Sequence, residues 1–172
     1  MVLNALAATA VGITMGLTME QMKAGIEKLQ ALGGRFHIIE KGEMLIIDDC
    51  YNANPVSMKA SLDVLKDAEH RKVAILGDMF ELGENAAELH AGVGVHAAKS
   101  EIDLLICVGE TSSHMAEAAF QTGGCGEVLQ VPALAALLEV LPKLVQADDT
   151  ILVKASHGMH FEKVVELSLI HI

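Results

Sequence analysis

Between Met44 and Leu167, short apolar runs rich in Val, Ile and Leu alternate with longer segments of helical period, and this alternation limits the fold more than any other feature. Val73–Leu76, Leu104–Val108, Val128–Val131 and Ile151–Lys154 read as strands. Helices are expected over about Ala86–Lys99, Ser113–Gln121, Leu134–Val145 and His160–Leu167. Strands and helices in strict turn require right-handed crossovers between parallel strands. The expected class is therefore α/β, a mostly parallel, doubly wound sheet with helices on both faces. The apolar content is Ala, Leu, Val, Ile and Met with only 3% aromatic residues and no Trp, which suits helices packed on such a sheet.

The preceding segment follows other rules. Met1 to Gly16 is Ala-rich and reads as a helix. Thr18-Met19-Glu20-Gln21 is a capping-box pattern, followed by Met22, Ile26 and Leu29 at helical spacing until Gly33-Gly34 ends the run. Two such helices cannot bury their apolar faces on each other as an independent domain, so residues 1–33 are expected to be the tail of a preceding domain and 34–172 a domain of their own. Phe36–Ile39 and Met44–Ile47 read as strands around a Lys41-Gly42 turn. Asn54 is a natural N-cap with Pro55 in the first helical position, and the helix should reach about Ala68 with Met58, Leu62 and Leu65 inward. Leu169 to Ile172 continue no pattern and stay unassigned.

The chain carries 23 acidic against 12 basic residues, a formal charge of −11. That balance argues against nonspecific contact with nucleic acid or an anionic membrane, which need a basic face. It leaves a phosphorylated ligand open, because backbone amides and a few cations hold phosphate locally. Cys50, Cys107 and Cys125 form no CxxC pair, so neither a disulfide framework nor a metal site is indicated and a reducing cytoplasm is expected. No signal-peptide pattern and no apolar stretch of about 18 residues occurs.

In an open parallel sheet, ligands bind beyond the carboxyl ends of the strands. Four segments fall there. Asp48 to Ser57 ends a strand in two carboxylates and enters a helix through a polar turn. Its carboxylates suit ribose hydroxyls and its amides suit an anion, although Asp and Asn also serve ordinary turns. Gly77 to Glu84 offers Asp78, Glu81 and Glu84 to a cation or ammonium group, or is simply a solvated acidic turn. His90 on the next helix either faces this loop or sits on the surface. Lys154-Ala155-Ser156-His157-Gly158 joins a cation, a hydroxyl and an imidazole at a strand end, suited to a carboxylate or phosphate; its alternative is a capped turn with a solvent-facing lysine. Gly109 to Ser113 should do no more than cap a helix with its hydroxyls. No GxGxxG or GxxxxGK[ST] phosphate loop is present, and no residue is singled out as catalytic.

Leu-Asn-Ala-Leu-Ala-Ala, Gly34-Arg35-Phe36, Asp-Asp-Cys-Tyr-Asn-Ala-Asn-Pro-Val-Ser-Met, Gly-Asp-Met-Phe-Glu-Leu-Gly and Val-Lys-Ala-Ser-His-Gly-Met, in this order, resemble the Mur ligases over nearly the whole chain. The resemblance implies the branch that joins D-alanyl-D-alanine to UDP-N-acetylmuramoyl-tripeptide, using ATP and Mg2+ through an acyl phosphate, in the cytoplasm and as a monomer. It implies a Rossmann-like domain over 34–172, preceded at 1–33 by the last two helices of a central ATPase domain. The phosphate loop and magnesium ligands would belong to missing N-terminal and central domains, leaving this chain alone inactive.

By the same resemblance, Asn4 would contact the adenine, Arg35 the nucleotide phosphates and Asp49 the ribose. Tyr51, Asn52 and Asn54 would line the cleft, and Lys154, Ser156 and His157 would lie near the incoming dipeptide. Asp78 and Glu81 would shape the cleft. The competing expectations are a ligase domain of the folylpolyglutamate-synthase type, disfavoured by the Tyr-Asn-Ala-Asn string, and a noncatalytic Rossmann-like binding module.

Overall fold

The structure is a computed structural model that describes residues 2–28 and 33–171. The chain divides into two compact units, Met1–Ala31 and Leu32–Ile172. In the first, helix α1 (Val2–Thr14) is followed by α2 (Met19–Glu27). Thr18 caps α2 with the reciprocal bonds of a capping box: its hydroxyl accepts from the Gln21 N–H, while the Gln21 side chain accepts from the Thr18 N–H. Met22 is buried, but Leu6, Val11 and Ile13 remain more than half exposed, so the pair of helices does not bury its own apolar surface. Leu29, expected as the third apolar position of α2, lies outside the described residues, as does Ile172.

The second unit is one six-stranded sheet. Strand β1 (His37–Lys41) forms an antiparallel hairpin with β2 (Met44–Asp48), with His37 opposite Asp48 and Lys41 opposite Met44. The rest is parallel: β3 (Lys72–Gly77), β4 (Leu104–Val108), β5 (Glu127–Val131) and β6 (Thr150–Lys154), in the order β1-β2-β6-β3-β4-β5. Five of the six sequence-derived strands match within one residue at each end, the ordinary uncertainty of such boundaries. At β1, expected over Phe36–Ile39, the strand continues two residues further, to Lys41. Phe36 itself is not part of it. It stands at φ 55, outside extended geometry, so β1 begins one residue later.

Because successive strand residues point to opposite faces, the sheet has two separate cores. Ile46, Val73, Ile75, Ile106, Ile151 and Val153 face α6 (Leu134–Leu144) and α7 (Glu162–His171). Ile47, Ala74, Leu76, Leu105, Cys107 and Leu152 face α3 (Pro55–Lys66), α4 (Ala86–Lys99) and α5 (Ser113–Thr122). The expected inward residues of α3, Met58, Leu62 and Leu65, are fully buried. Helix α7 takes in the tail left unassigned from sequence as far as His171 and is preceded by a short 3-10 turn, His157–Met159.

This topology places the site. From β2 the chain passes to α3, and from β3 to α4, on one face. From β6, which lies between β2 and β3, it passes to α7 on the other. Neighbouring strands whose following helices leave on opposite sides open a crevice at their carboxyl ends. Here β6 has such a neighbour on each side.

Candidate functional site

The polar segments meet at this rim. The ladder runs past the strands: the Asp49 N–H donates to the Val153 carbonyl at 3.0 Å, and the Ser156 N–H to the Asp78 carbonyl at 3.1 Å. Asp49 therefore sits level with Lys154, and the period-2 alternation turns both side chains toward α3. The Lys154 ammonium donates to Asp49 Oδ2 at 2.6 Å, to the Asn52 carbonyl at 3.0 Å and to the Asp49 carbonyl at 3.4 Å. Its side chain is only 2% exposed. An ammonium has three N–H groups, and all three have acceptors within the fold. The reading of a solvent-facing lysine is thereby overturned, and the ammonium is not turned outward toward a ligand carboxylate: leaving so many acceptors and a buried carboxylate unpaired would be unfavourable.

Asp49 is almost as fully engaged. Its Oδ1 accepts from the Phe36 N–H at 3.0 Å and its Oδ2 from the Ser61 hydroxyl at 2.8 Å, besides Lys154. A carboxylate has about four acceptor positions, so one remains for an incoming hydroxyl. Ser61 was not foreseen. Its signal was a lone hydroxyl on the face of α3 that otherwise carries Met58, Leu62 and Leu65 inward. Asp48 points the other way, accepting from the buried Gly34 N–H at 2.7 Å and lying 2.9 Å from the Cys50 sulfur. Burial, with the Asp48 carboxylate beside it, pushes the Cys50 thiol up to about 12.

Arg35, Tyr51 and His157 gather over this base. The Arg35 guanidinium lies 3.9 Å from the centre of the Tyr51 ring, a cation–π stack, and the His157 ring lies 5.5 Å from the same ring at 40°. All three are exposed. Asn52 is exposed, its side-chain oxygen accepting from the Ala53 N–H. Asn54 caps α3 as expected, its Oδ1 accepting from the Ser57 N–H at 2.8 Å. Ser156 is buried and accepts from the Phe80 N–H at 2.8 Å, tying the Gly77–Glu84 loop to the end of β6. Asn4 belongs to the first unit, exposed on α1.

The acidic loop also resolves into distinct roles. Asp78 is buried and accepts from both the N–H and the hydroxyl of Ser112 at 2.6 Å. Ser112 thus spends its hydroxyl on Asp78 and makes no side-chain cap, contrary to the capping expected of Gly109–Ser113; Ser113 bonds to the Glu110 carbonyl instead. Glu81 is exposed at φ 62. His90 is buried. Its Nε2 accepts from the Met79 N–H at 2.9 Å, so the proton resides on Nδ1 and is donated to the Ala86 carbonyl at 2.7 Å, which makes the ring a neutral strut under the loop.

Two hollows of about 350 and 430 Å3, one beside Lys41, Glu43 and Ala147 and one beside Phe120, Cys125 and Glu127, lie toward the opposite ends of the strands. The polar cluster stands on an open rim. Chemically it offers a permanent cation held on an aromatic face, an imidazole, one free carboxylate position and several amides. Such a set binds anionic and hydroxyl-bearing ligands.

The family model described as "Mur ligase, glutamate ligase domain" matches residues 34–157. The chain is 38% identical over 165 residues to the UDP-N-acetylmuramoyl-tripeptide–D-alanyl-D-alanine ligase of Escherichia coli (strain K12), covering 94% of this chain and 35% of that protein. Crystal structure II of MurF from Acinetobacter baumannii superposes with a TM-score of 0.86 at 32% identity, covering 96% of this chain and 36% of that one. The MurF ligase from Thermotoga maritima in complex with ADP gives 0.78 at 27% identity, covering 96% and 37%. The chain spans about a third of the length of these relatives. Matched over most of its length, including the whole polar rim, the chain belongs to the Mur ligase family.

Proposed function

We propose that this chain is the C-terminal part of an ATP-dependent ligase that adds D-alanyl-D-alanine to UDP-N-acetylmuramoyl-tripeptide, and that its rim closes on ATP and the dipeptide. The observation that carries the reading is the meeting of Arg35, Tyr51, His157 and Asp49 at one sheet edge, in a chain whose E. coli relative bears that name. In this chemistry ATP phosphorylates the peptide carboxylate and the amine of the dipeptide attacks the acyl phosphate. Excluding water protects that intermediate.

Arg35 is assigned to the nucleotide phosphates, where a fixed, permanently charged guanidinium stabilises charge on the phosphoryl group. Asp49 receives a ribose hydroxyl at its remaining acceptor position, and Asn4 is assigned to the adenine. Tyr51, Asn52 and Asn54 line the cleft. Ser156 and His157 lie by the dipeptide, with His157 the more accessible; Lys154 serves this region by holding Asp49 and the Asn52 carbonyl in place. Mg2+ is proposed to accompany ATP, held by residues outside this chain. Residues 1–33 are assigned to the end of a central ATPase domain, and the whole protein to the cytoplasm, as a monomer.

A chimera tests the reading. This chain replaces the matching C-terminal part of the E. coli relative, and phosphate release is followed with UDP-N-acetylmuramoyl-tripeptide, ATP and Mg2+. Release that depends on D-alanyl-D-alanine is expected. Release with glutamate in its place would favour the folylpolyglutamate type, and a folded chimera that responds to neither would leave a noncatalytic binding module.

A further inference from the structure

We infer that the tandem carboxylates Asp48 and Asp49 are positioning residues for Arg35: they grip the backbone on either side of it and so fix its guanidinium on the Tyr51 ring, facing outward. The inference rests on the proposed phosphate-binding role of Arg35 and supplies the means by which that role is prepared.

The geometry is a clamp with four points. On one side of Arg35, the Gly34 N–H donates to Asp48 Oδ2 at 2.7 Å, and the Gly34 carbonyl accepts from the Tyr51 N–H at 2.8 Å. On the other side, the Phe36 N–H donates to Asp49 Oδ1 at 3.0 Å. The fourth point is the stack of the guanidinium on Tyr51, 3.9 Å from the ring centre. Two adjacent strand residues send their side chains to opposite faces. That is why a pair of neighbouring aspartates, rather than one, can hold the amides before and after the same arginine.

One end of the gripped segment is conformationally costly without the grip, and the other admits only glycine. Phe36 sits at φ 55, a left-handed conformation that a bulky residue seldom adopts. Gly34 sits at φ 75, and a Cβ there would approach the Tyr51 backbone nitrogen and Cβ to 3.3 Å. A non-glycine residue such as Phe36 persists in that region only where its surroundings over-determine it, and this is characteristic of functional positions. The clamp is itself braced: Asp49 by Ser61 and Lys154 through its other oxygen, and Asp48 by Cys50. A guanidinium pre-set in this way loses less side-chain freedom when phosphate arrives.

The chain contains one tyrosine and no tryptophan, so its intrinsic emission reports Tyr51 and the groups against its ring, Arg35 and His157, and comparison with Arg35→Met isolates the arginine's part. The test compares the 172-residue chain with Arg35→Met, Asp48→Ala, Asp49→Ala and Asp48→Asn, reading Tyr51 emission and inorganic pyrophosphate binding, with the fold followed by far-UV circular dichroism. Asp48→Ala and Asp49→Ala are expected to move the emission to that of Arg35→Met and to weaken pyrophosphate binding about tenfold. Asp48→Asn, which keeps an acceptor oxygen for the Gly34 N–H, should restore most of both. Folded alanine variants with unchanged emission and affinity would overturn the inference. If the emission moves as expected but the wild-type chain itself ignores pyrophosphate, the clamp stands and the phosphate-binding role falls. Should the alanine variants unfold, amide exchange in the wild-type chain decides: Gly34 and Phe36 must be protected as strongly as the amides of β2, and free exchange at either would overturn the inference.

Discussion

Lys154 is a buried cation at the end of β6, after the apolar run Ile151–Val153. Its charge is tolerated because three acceptors surround it, one of them a carboxylate at 2.6 Å. Removing one partner of a buried pair strands the other. Lys154→Met is therefore expected to destabilise the chain by about 3 kcal/mol, and Lys154→Met with Asp49→Asn by much less, measured by urea unfolding. Cys50 gives a pH effect of defined sign. Its thiol, ordinarily at 9.0, is raised to about 12 by burial first and by Asp48 second. Between those values the unfolded chain gives up a proton that the folded chain keeps, so the contribution is intact below pH 9 and is lost as pH rises toward 12. Cys50→Ala is expected to flatten the alkaline decline in stability over that window relative to wild type.

Among the elements, α3 and α4 carry the clearest consequences. Asn54 caps α3 and is also proposed to line the cleft, so the two roles must be separated. Asn54→Ala should cost about 1 kcal/mol of stability through the cap alone, and Asn54→Asp, which keeps the cap, should restore it. Helix α4 contains two glycines in different surroundings. A Cβ at Gly94 would fall 2.0 Å from the Met115 carbonyl oxygen, which is how α4 and α5 come so close. Gly94→Ala is expected to lose about 2 kcal/mol or more, since backbone must separate to admit the methyl group. At Gly92 the nearest group is the flexible Lys59 ammonium at 3.8 Å. There, Gly92→Ala should gain up to about 1 kcal/mol by helix propensity, and thermal unfolding of the two variants should shift in opposite directions.

At the scale of the whole molecule, the site follows from strand order. Placing β6 between β2 and β3 brings residues far apart in sequence, 49, 78 and 154, to one edge. The helices that follow leave by opposite faces and open the crevice there. Among the described residues, no helix is long and apolar enough to cross a membrane. The chain contains no GxxxxGK[ST] loop. Accordingly, the 172-residue chain by itself is expected to release no phosphate from ATP above background in a colorimetric assay, and robust turnover would overturn the division of labour proposed for it.

The sequence alone determined the elements and their class. Hydrophobic period, the Thr18 and Asn54 caps and the Pro55 start are local signals, set by backbone geometry within a few residues, and the strands, helices and parallel character could be read from them. The motifs likewise marked which segments would gather at the rim. What only the tertiary structure decided was the direction and partnership of each polar group. Lys154 turned inward because β6 pairs beside β2 and faces α3. His90 became a buried strut, and Ser112 was drawn to Asp78 from its expected cap. Asp48 and Asp49 divided between two faces to hold Gly34 and Phe36. These outcomes depend on contacts between residues 11 to 105 positions apart, beyond the reach of a single helix turn or strand, where a buried polar group must find whichever partner the fold supplies, and no local pattern encodes that partner.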